Sequence, residues 1–277
     1  MKTPKGKLII IGGSEHKGIP DEKEGSGNRN PDFMEQEILK RLIQERGRGD
    51  GIIEVIPTAS KIPDEVGDDY MAAFKNLDCD NGDVLDIRTR DDAYRESFVE
   101  RIKKADAVMF SGGDQMRLST ILGGTPVLEA IIDKYWNEDF LVAGTSAGAM
   151  VMSNSMIFSG SSEEAFFKGE LKITSGFGLI PGVIIDTHFI KRGRFGRLAQ
   201  AVAINPSYVG LGLEEDTAVY VSRGSEMEAI GSGNVLIIDG HDIRQSNITE
   251  VDEGSPISIE GLIVHVLARG DLFSLKR

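Results

Sequence analysis

The stretch Gly144-Thr145-Ser146-Ala147-Gly148 constrains this chain more than any other. Phe140 to Ala143 before it form a short apolar run that reads as a buried strand. Ala147 to Ser153 after it read as the start of a helix. A strand that reverses sharply into a helix brings backbone close to backbone, so the positions flanking the turn must lack bulk. The residue at the tip is held in strained φ/ψ with its side chain projecting into a cleft. The N–H groups of the following helix point at the same spot, where an oxyanion could sit. This is the G-x-S-x-G pattern of a nucleophile elbow. Taken alone it also fits an ordinary strand-to-helix connection packed with small residues, so its meaning depends on partners elsewhere.

The chain around it alternates strand and helix. Residues 7 to 13 read as a first strand, and the Gly-rich, charged stretch Ser14 to Asn30 reads as a solvated loop. Phe33, Ile38, Leu42 and Ile43 share one face of a helix that Gly47 or Gly49 ends. Strands follow at Ile52 to Ile56, Val84 to Ile87 and Ala107 to Phe110, with helices at Val66 to Leu77 and Ala93 to Ala105, Phe98 and Ile102 facing inward. That rhythm predicts an α/β fold, a mostly parallel sheet with helices on both faces. Ligands collect at the carboxyl ends of such strands. Two Gly-rich strand ends, 111 to 115 and 144 to 148, then face one crevice, joined by Asp186-Thr187-His188-Phe189 after the apolar run Val183 to Ile185. From Tyr208 onward short strands (Val219 to Val221, Val235 to Ile238, Leu262 to Leu267) predict a more antiparallel C-terminal extension. No linker or repeat marks a boundary, so one domain over residues 1–277 is expected.

Composition excludes several classes. A net charge of −13 disfavours nonspecific binding to nucleic acid or anionic membrane. The single cysteine, Cys79, rules out an intrachain disulfide framework and a Cys-rich metal site. No apolar run approaches the ~20 residues of a membrane span, and Leu8 to Ile11 is too short for a secretory core, so a cytoplasmic protein is expected. The histidines show no metal-binding spacing, so neither metal nor organic cofactor is implied.

A serine nucleophile needs a base, and the base needs an acid to hold its tautomer. Of the four histidines, His16 lies in the charged loop and His241 and His265 in the C-terminal extension. His188 stands directly after an apolar strand and is the best candidate base, although a lone histidine at a strand end also serves structure. The acid comes from Glu214-Glu215-Asp216, which alternatively reads as a turn with a capping role.

Five motifs in order, Gly112-Gly113-Asp114-Gln115, Gly144-Thr145-Ser146-Ala147-Gly148-Ala149, Asp186-Thr187-His188-Phe189, Arg192-Gly193-Arg194-Phe195-Gly196-Arg197-Leu198 and Gly212-Leu213-Glu214-Glu215-Asp216-Thr217, resemble the cyanophycin-degrading members of peptidase family S51. The resemblance runs from strand one to about residue 240. It implies a serine exopeptidase with a fold like that of class I glutamine amidotransferases, and a nucleophile, base and acid in the order Ser146, His188, Glu215. That order differs from the Ser…Asp/Glu…His of α/β-hydrolases. It further implies an oxyanion hole from the N–H groups of Gly113 and Ala147, a pocket lined by Gln115, Asp186, Arg192, Arg194 and Arg197, and a homodimer.

The implied substrate, cyanophycin, is a poly-aspartate chain with an arginine amide-linked to each side-chain carboxylate, cleaved to β-Asp-Arg dipeptides. It offers free carboxylates for arginines, with Arg194 and Arg197 expected to clamp them near Ser146, and guanidinium groups for Asp186. In isolation the arginine run reads instead as a solvated basic turn of the helix running on to Ala203. The family pattern places Gln before the histidine; here Thr187 stands there, which leaves the substrate preference open. Two other readings remain: an S51 aspartyl dipeptidase cutting small Asp-X or isoaspartyl dipeptides, whose elbow more typically reads Gly-Trp-Ser-Ala-Gly, and a catalytically silent binding protein.

Overall fold

Short runs of apolar, mostly β-branched residues build a parallel core. In the computed structural model, which describes residues 2–15, 17, 37–47, 50–161 and 164–275, β1 (Lys7–Ile11), β2 (Ile53–Ile56), β3 (Gly82–Val84), β4 (Ala107–Phe110) and β5 (Leu141–Thr145) lie in the order β1-β5-β4-β2-β3. All these neighbours are parallel. Every residue of β2, β4 and β5 is buried, because helices cover both faces. On one face Ile9, Ile11 and Val55 pack with Leu39 of α1 (Glu37–Glu45) and Phe74 of α2 (Pro63–Asn76). On the other, Leu8, Ile10, Val108 and Val142 pack with Ile102 of α3 (Glu96–Lys104), Leu118 of α4 (Gln115–Leu122) and Ile131 of α5 (Pro126–Asn137). Each fully buried Leu or Ile contributes about 1.5–3 kcal/mol. The first two helices thus cover one side of the sheet and the next three the other.

The elbow follows as α6 (Ala147–Met150), then β6 (Ser155–Ser159) and β7 (Lys172–Ser175) pair as a hairpin. β8 (Val183–Asp186), α7 (Phe195–Ile204) and β9 (Val209–Leu213) form a second parallel unit. Beyond it β10 (Thr217–Ser222) and β11 (Glu226–Gly231) return to the main sheet antiparallel, β10 pairing with β1. β12 (Val235–Asp239) joins β9, the small pair β13 (Gln245–Ser246) and β14 (Ile259–Glu260) follows, then β15 (Ile263–Leu267) closes on β12. β16 (Leu272–Ser274) ends the main sheet beside β11. The C-terminal extension is therefore antiparallel. Among the described residues no helix is long and apolar enough to cross a membrane.

Three local expectations shift. The strand at Val84–Ile87 is instead Gly82–Val84; Leu85 N still donates to Val55 O at 2.8 Å, but the Ile87 carbonyl turns to accept from Thr58 Oγ1 at 2.6 Å. The helix expected over Ala93–Ala105 breaks at Arg95, whose ψ is 122°, into a 3-10 turn at Asp92–Tyr94 and α3. Asp92 fixes that turn, its Oδ2 accepting from the N–H groups of Arg88 and Thr89. The first helix begins at Glu37 among the described residues, and Gly47, at φ 95°, follows its end. Phe33 and most of the expected loop, His16 included, lie outside the described residues.

Candidate active site

Ser146 sits at the tip of the β5–α6 turn with φ 50° and ψ −111°, a region costly for a residue with a side chain. Its flanking glycines are forced by contact. A Cβ on Gly144 would lie 2.4 Å from the Gly148 carbonyl oxygen, and one on Gly148 the same 2.4 Å from that of Phe110. Opposite the serine, the β4–α4 turn brings Gly112 and Gly113 alongside; a Cβ on Gly112 would lie 3.4 Å from that of Ser146. Among the described residues the Gly113 and Ala147 N–H groups make no turn or loop bond to a backbone carbonyl.

The base arrives from the end of β8. His188 Nε2 lies 3.0 Å from Ser146 Oγ, and His188 Nδ1 lies 2.7 Å from Glu215 Oε1. A carboxylate only accepts, so it fixes the ring proton on Nδ1 and leaves the Nε2 lone pair for the serine hydroxyl. Glu214, one residue earlier, turns the other way, and its Oε2 accepts from Asn234 N at 3.1 Å. Lys191 Nζ donates to Glu215 Oε2 at 2.7 Å, so both oxygens of that carboxylate are engaged. Burial lowers the pKa of His188, helped by Arg192 and Arg194 and opposed by Glu215, so the imidazole is a neutral base at neutral pH. Burial acts to raise that of Glu215, but the bonds from Lys191 and His188 outweigh it and the carboxylate stays ionised below its ordinary range.

The end of β1 holds these pieces together. Ile11 O accepts from Ser146 N at 3.0 Å, Gly12 O from His188 N at 2.9 Å, and Gly13 O from Asp216 N at 2.8 Å. Three consecutive carbonyls thus set the backbone of the serine, of the histidine and of the residue after Glu215. His188 and Asp216 share the positive φ of Ser146, at 49° and 50°. Gly13 admits no side chain, because a Cβ there would meet His188 Cε1 at 2.4 Å. Behind the elbow, Glu15 is buried and accepts from Thr145 Oγ1 at 2.5 Å and from the Tyr70 hydroxyl. Sequence reasoning missed Gly12, Gly13, Glu15 and Lys191. The Gly-Gly pair closing a first strand was the available signal for two of them; nothing comparable marks Lys191.

The arginines do not stand where the sequence suggested. Asp186 is fully buried and accepts from Arg197 Nε and Nη2, both at 2.6 Å, and from Arg194 Nη1 at 3.1 Å. Arg194 also donates to Thr187 O at 2.7 Å. The anion these arginines hold in this structure is therefore Asp186 itself. Burial pulls the Arg194 pKa down to about 10, with Arg197 and Arg192 adding to the effect and Asp186 opposing it. Arg192 is exposed and forms no ion pair among the described residues. Gln115 lines an open cleft of about 400 Å³ with Ala59, Lys61, Gly113, Asp114 and Phe158, its Nε2 3.4 Å from the carbonyls of Ile157 and Phe158. Of the other described histidines, His241 Nδ1 lies 2.6 Å from Asp239 Oδ1 and His265 packs on Phe273. Among the described residues no cluster of potential metal ligands occurs.

The profile of peptidase family S51 matches residues 25–230. The chain belongs to peptidase family S51. It is 35% identical to a cyanophycinase of Synechococcus elongatus over 98% of this chain and 80% of that one. A cyanophycinase of Nostoc sp. (strain PCC 7120) is 34% identical over 99% of this chain and 88% of that one. The crystal structure of a peptidase from an acI-B1 actinobacterium superposes with a TM-score of 0.68 over 99% of both chains at 23% identity, which shows a shared fold. This S51 member is a peptidase, and its fold is the α/β arrangement with antiparallel C-terminal strands described above.

Proposed function

We propose that this S51 peptidase is a serine exopeptidase that hydrolyses cyanophycin to β-Asp-Arg dipeptides through an acyl-enzyme on Ser146. The reading rests on one observation above all, the unbroken line from Ser146 Oγ to His188 Nε2 and from His188 Nδ1 to Glu215, at 3.0 and 2.7 Å. Ser146 Oγ attacks the carbonyl carbon of the terminal backbone amide while His188 Nε2 takes its proton. Glu215 stabilises the imidazolium, and the Gly113 and Ala147 N–H groups receive the oxyanion, each worth up to about 3–4 kcal/mol at the transition state. Collapse breaks the C–N bond as His188 returns the proton to the leaving amine. A water deprotonated by the same nitrogen then attacks the acyl ester, whose C–O bond breaks as His188 returns the proton to Ser146 Oγ.

Substrate choice is supported by the cyanophycinases among the relatives and by groups open to the crevice, Arg192 on the histidine side and Gln115 on the other. Asp186, Arg194 and Arg197 position the turn that carries His188. The homodimer and cytoplasmic location implied by the family resemblance belong to the same reading, and light scattering tests the first. A panel of cyanophycin, β-Asp-Arg and Asp-Leu tests the chemistry, with released amine as the readout. Dipeptide release from the polymer is expected. Cleavage of Asp-Leu with the polymer untouched would move the assignment to a dipeptidase.

A further inference from the structure

With Arg194 and Arg197 bonded to Asp186 and Lys191 to Glu215, few cations near the reacting centre remain for an anionic substrate group. Lys61 is one. It is exposed, makes no ion pair among the described residues, and lines the cleft of about 400 Å³ that opens beside Gly113. A cleft of that size holds a single ligand unit of roughly drug dimensions. The backbone leading to Lys61 is tied to the turn that carries the expected oxyanion donor: Ala59 O accepts from Asp114 N at 2.9 Å, and Ser60 N donates to Pro57 O at 2.9 Å. Ser60 Oγ accepts from Ile62 N at 3.0 Å and fixes the next step of the chain. The root of the ammonium-bearing side chain is thereby held at a set position relative to Gly113. Asp114, the acid in the same cleft, turns Oδ1 to the N–H groups of Met116 and Arg117 at the start of α4.

We propose that Lys61 is a specificity-determining residue whose ammonium holds a free carboxylate of the substrate unit seated in this cleft. The inference rests on the cyanophycin reading, in which that carboxylate is the α-carboxylate of the arginine carried on the aspartyl unit. An ammonium–carboxylate contact discriminates between substrates with and without the charge, and leaves the chemistry at Ser146 unchanged.

The test uses two matched synthetic aspartyl oligomers, one bearing arginine on each side chain and one bearing agmatine, which lacks the carboxylate. Wild type, Lys61→Met and Lys61→Arg are compared on both. Lys61→Met is expected to lose roughly ten- to a hundredfold in kcat/KM on the arginine oligomer, through KM, and to match wild type on the agmatine oligomer. Lys61→Arg, which keeps the charge, recovers part of the loss. An equal fall on both oligomers, or no fall on the arginine oligomer, overturns the assignment of Lys61 and leaves the cyanophycin reading intact. If wild type cleaves neither oligomer while a serine-directed reagent still labels Ser146, the polymer reading falls and the subsite with it.

Discussion

The wall of the crevice that carries Ser146 presents mainly backbone, whereas the wall that carries His188 is filled with charged side chains already bonded to one another. On the first, Gly112 stands beside the serine, Lys61 is exposed, and Gln115 lines the cleft half-buried. On the second, Asp186, Arg194 and Arg197 form a buried cluster, and His188, Glu215 and Lys191 form a chain of bonds. Backbone donors need no counter-charge and can stay exposed, so the first wall is free to meet substrate. Buried charges must be compensated internally, so the second wall fixes the base. A run of arginines beside a catalytic histidine is thus not in itself a substrate clamp.

The two walls meet in one bond, so Ser146→Ala gives the largest effect: kcat should fall by about 10⁶-fold with the fold intact. Near-wild-type turnover by a well-folded variant would show that the walls do not meet at this residue. Glu215→Gln should cost up to about 10⁴-fold in kcat, because an amide can hold the wrong tautomer of His188. Glu214→Gln, on the opposite face, should stay within a few tenths of a kcal/mol of the wild-type barrier, on the order of a surface substitution. If Glu214 proves the more damaging site, the acid of the second wall has been misassigned.

Asp186→Asn separates scaffold from substrate binding. It leaves two largely buried guanidinium groups without their anion and should lower unfolding stability by about 3–5 kcal/mol in urea titration. Unchanged stability together with a raised KM would return Asp186 to the substrate pocket. A modest effect, read mainly in the pH profile, belongs to Lys191→Ala. His188 must be neutral to act, so activity is lost as pH falls through its pKa, which burial and the nearby arginines hold below the ordinary histidine value. Removing the Lys191 cation frees Glu215 to pair more fully with His188, which raises that pKa and moves the acid limb of the rate profile to higher pH. Lys191 is 69% exposed, so the plateau rate should stay within about fivefold. An acid limb that stays put would reduce Lys191 to an incidental contact.

Much of this arrangement was legible in the residues. The small residues around Ser146 announced the positive φ at the elbow, and the alternation of strand and helix announced the parallel half. What failed did so where side-chain direction depends on a turn. Residues 187–194 leave β8 through tight turns, and only their folded path decides that Arg194 reaches back eight positions to Asp186. The strand expected at Val84–Ile87 stops at Val84 because Leu85 and Ile87 are apolar as covered residues, not as residues that pair along their length.

The three carbonyls at the end of β1 have a consequence for motion. Ser146, His188 and Asp216 are far apart in sequence, yet their amides donate to Ile11, Gly12 and Gly13 in succession. An opening that frees one of them must displace the strand end that holds the other two. Their amide protons should therefore exchange with solvent deuterium at one shared rate, set by the opening of the central strand rather than by each loop on its own.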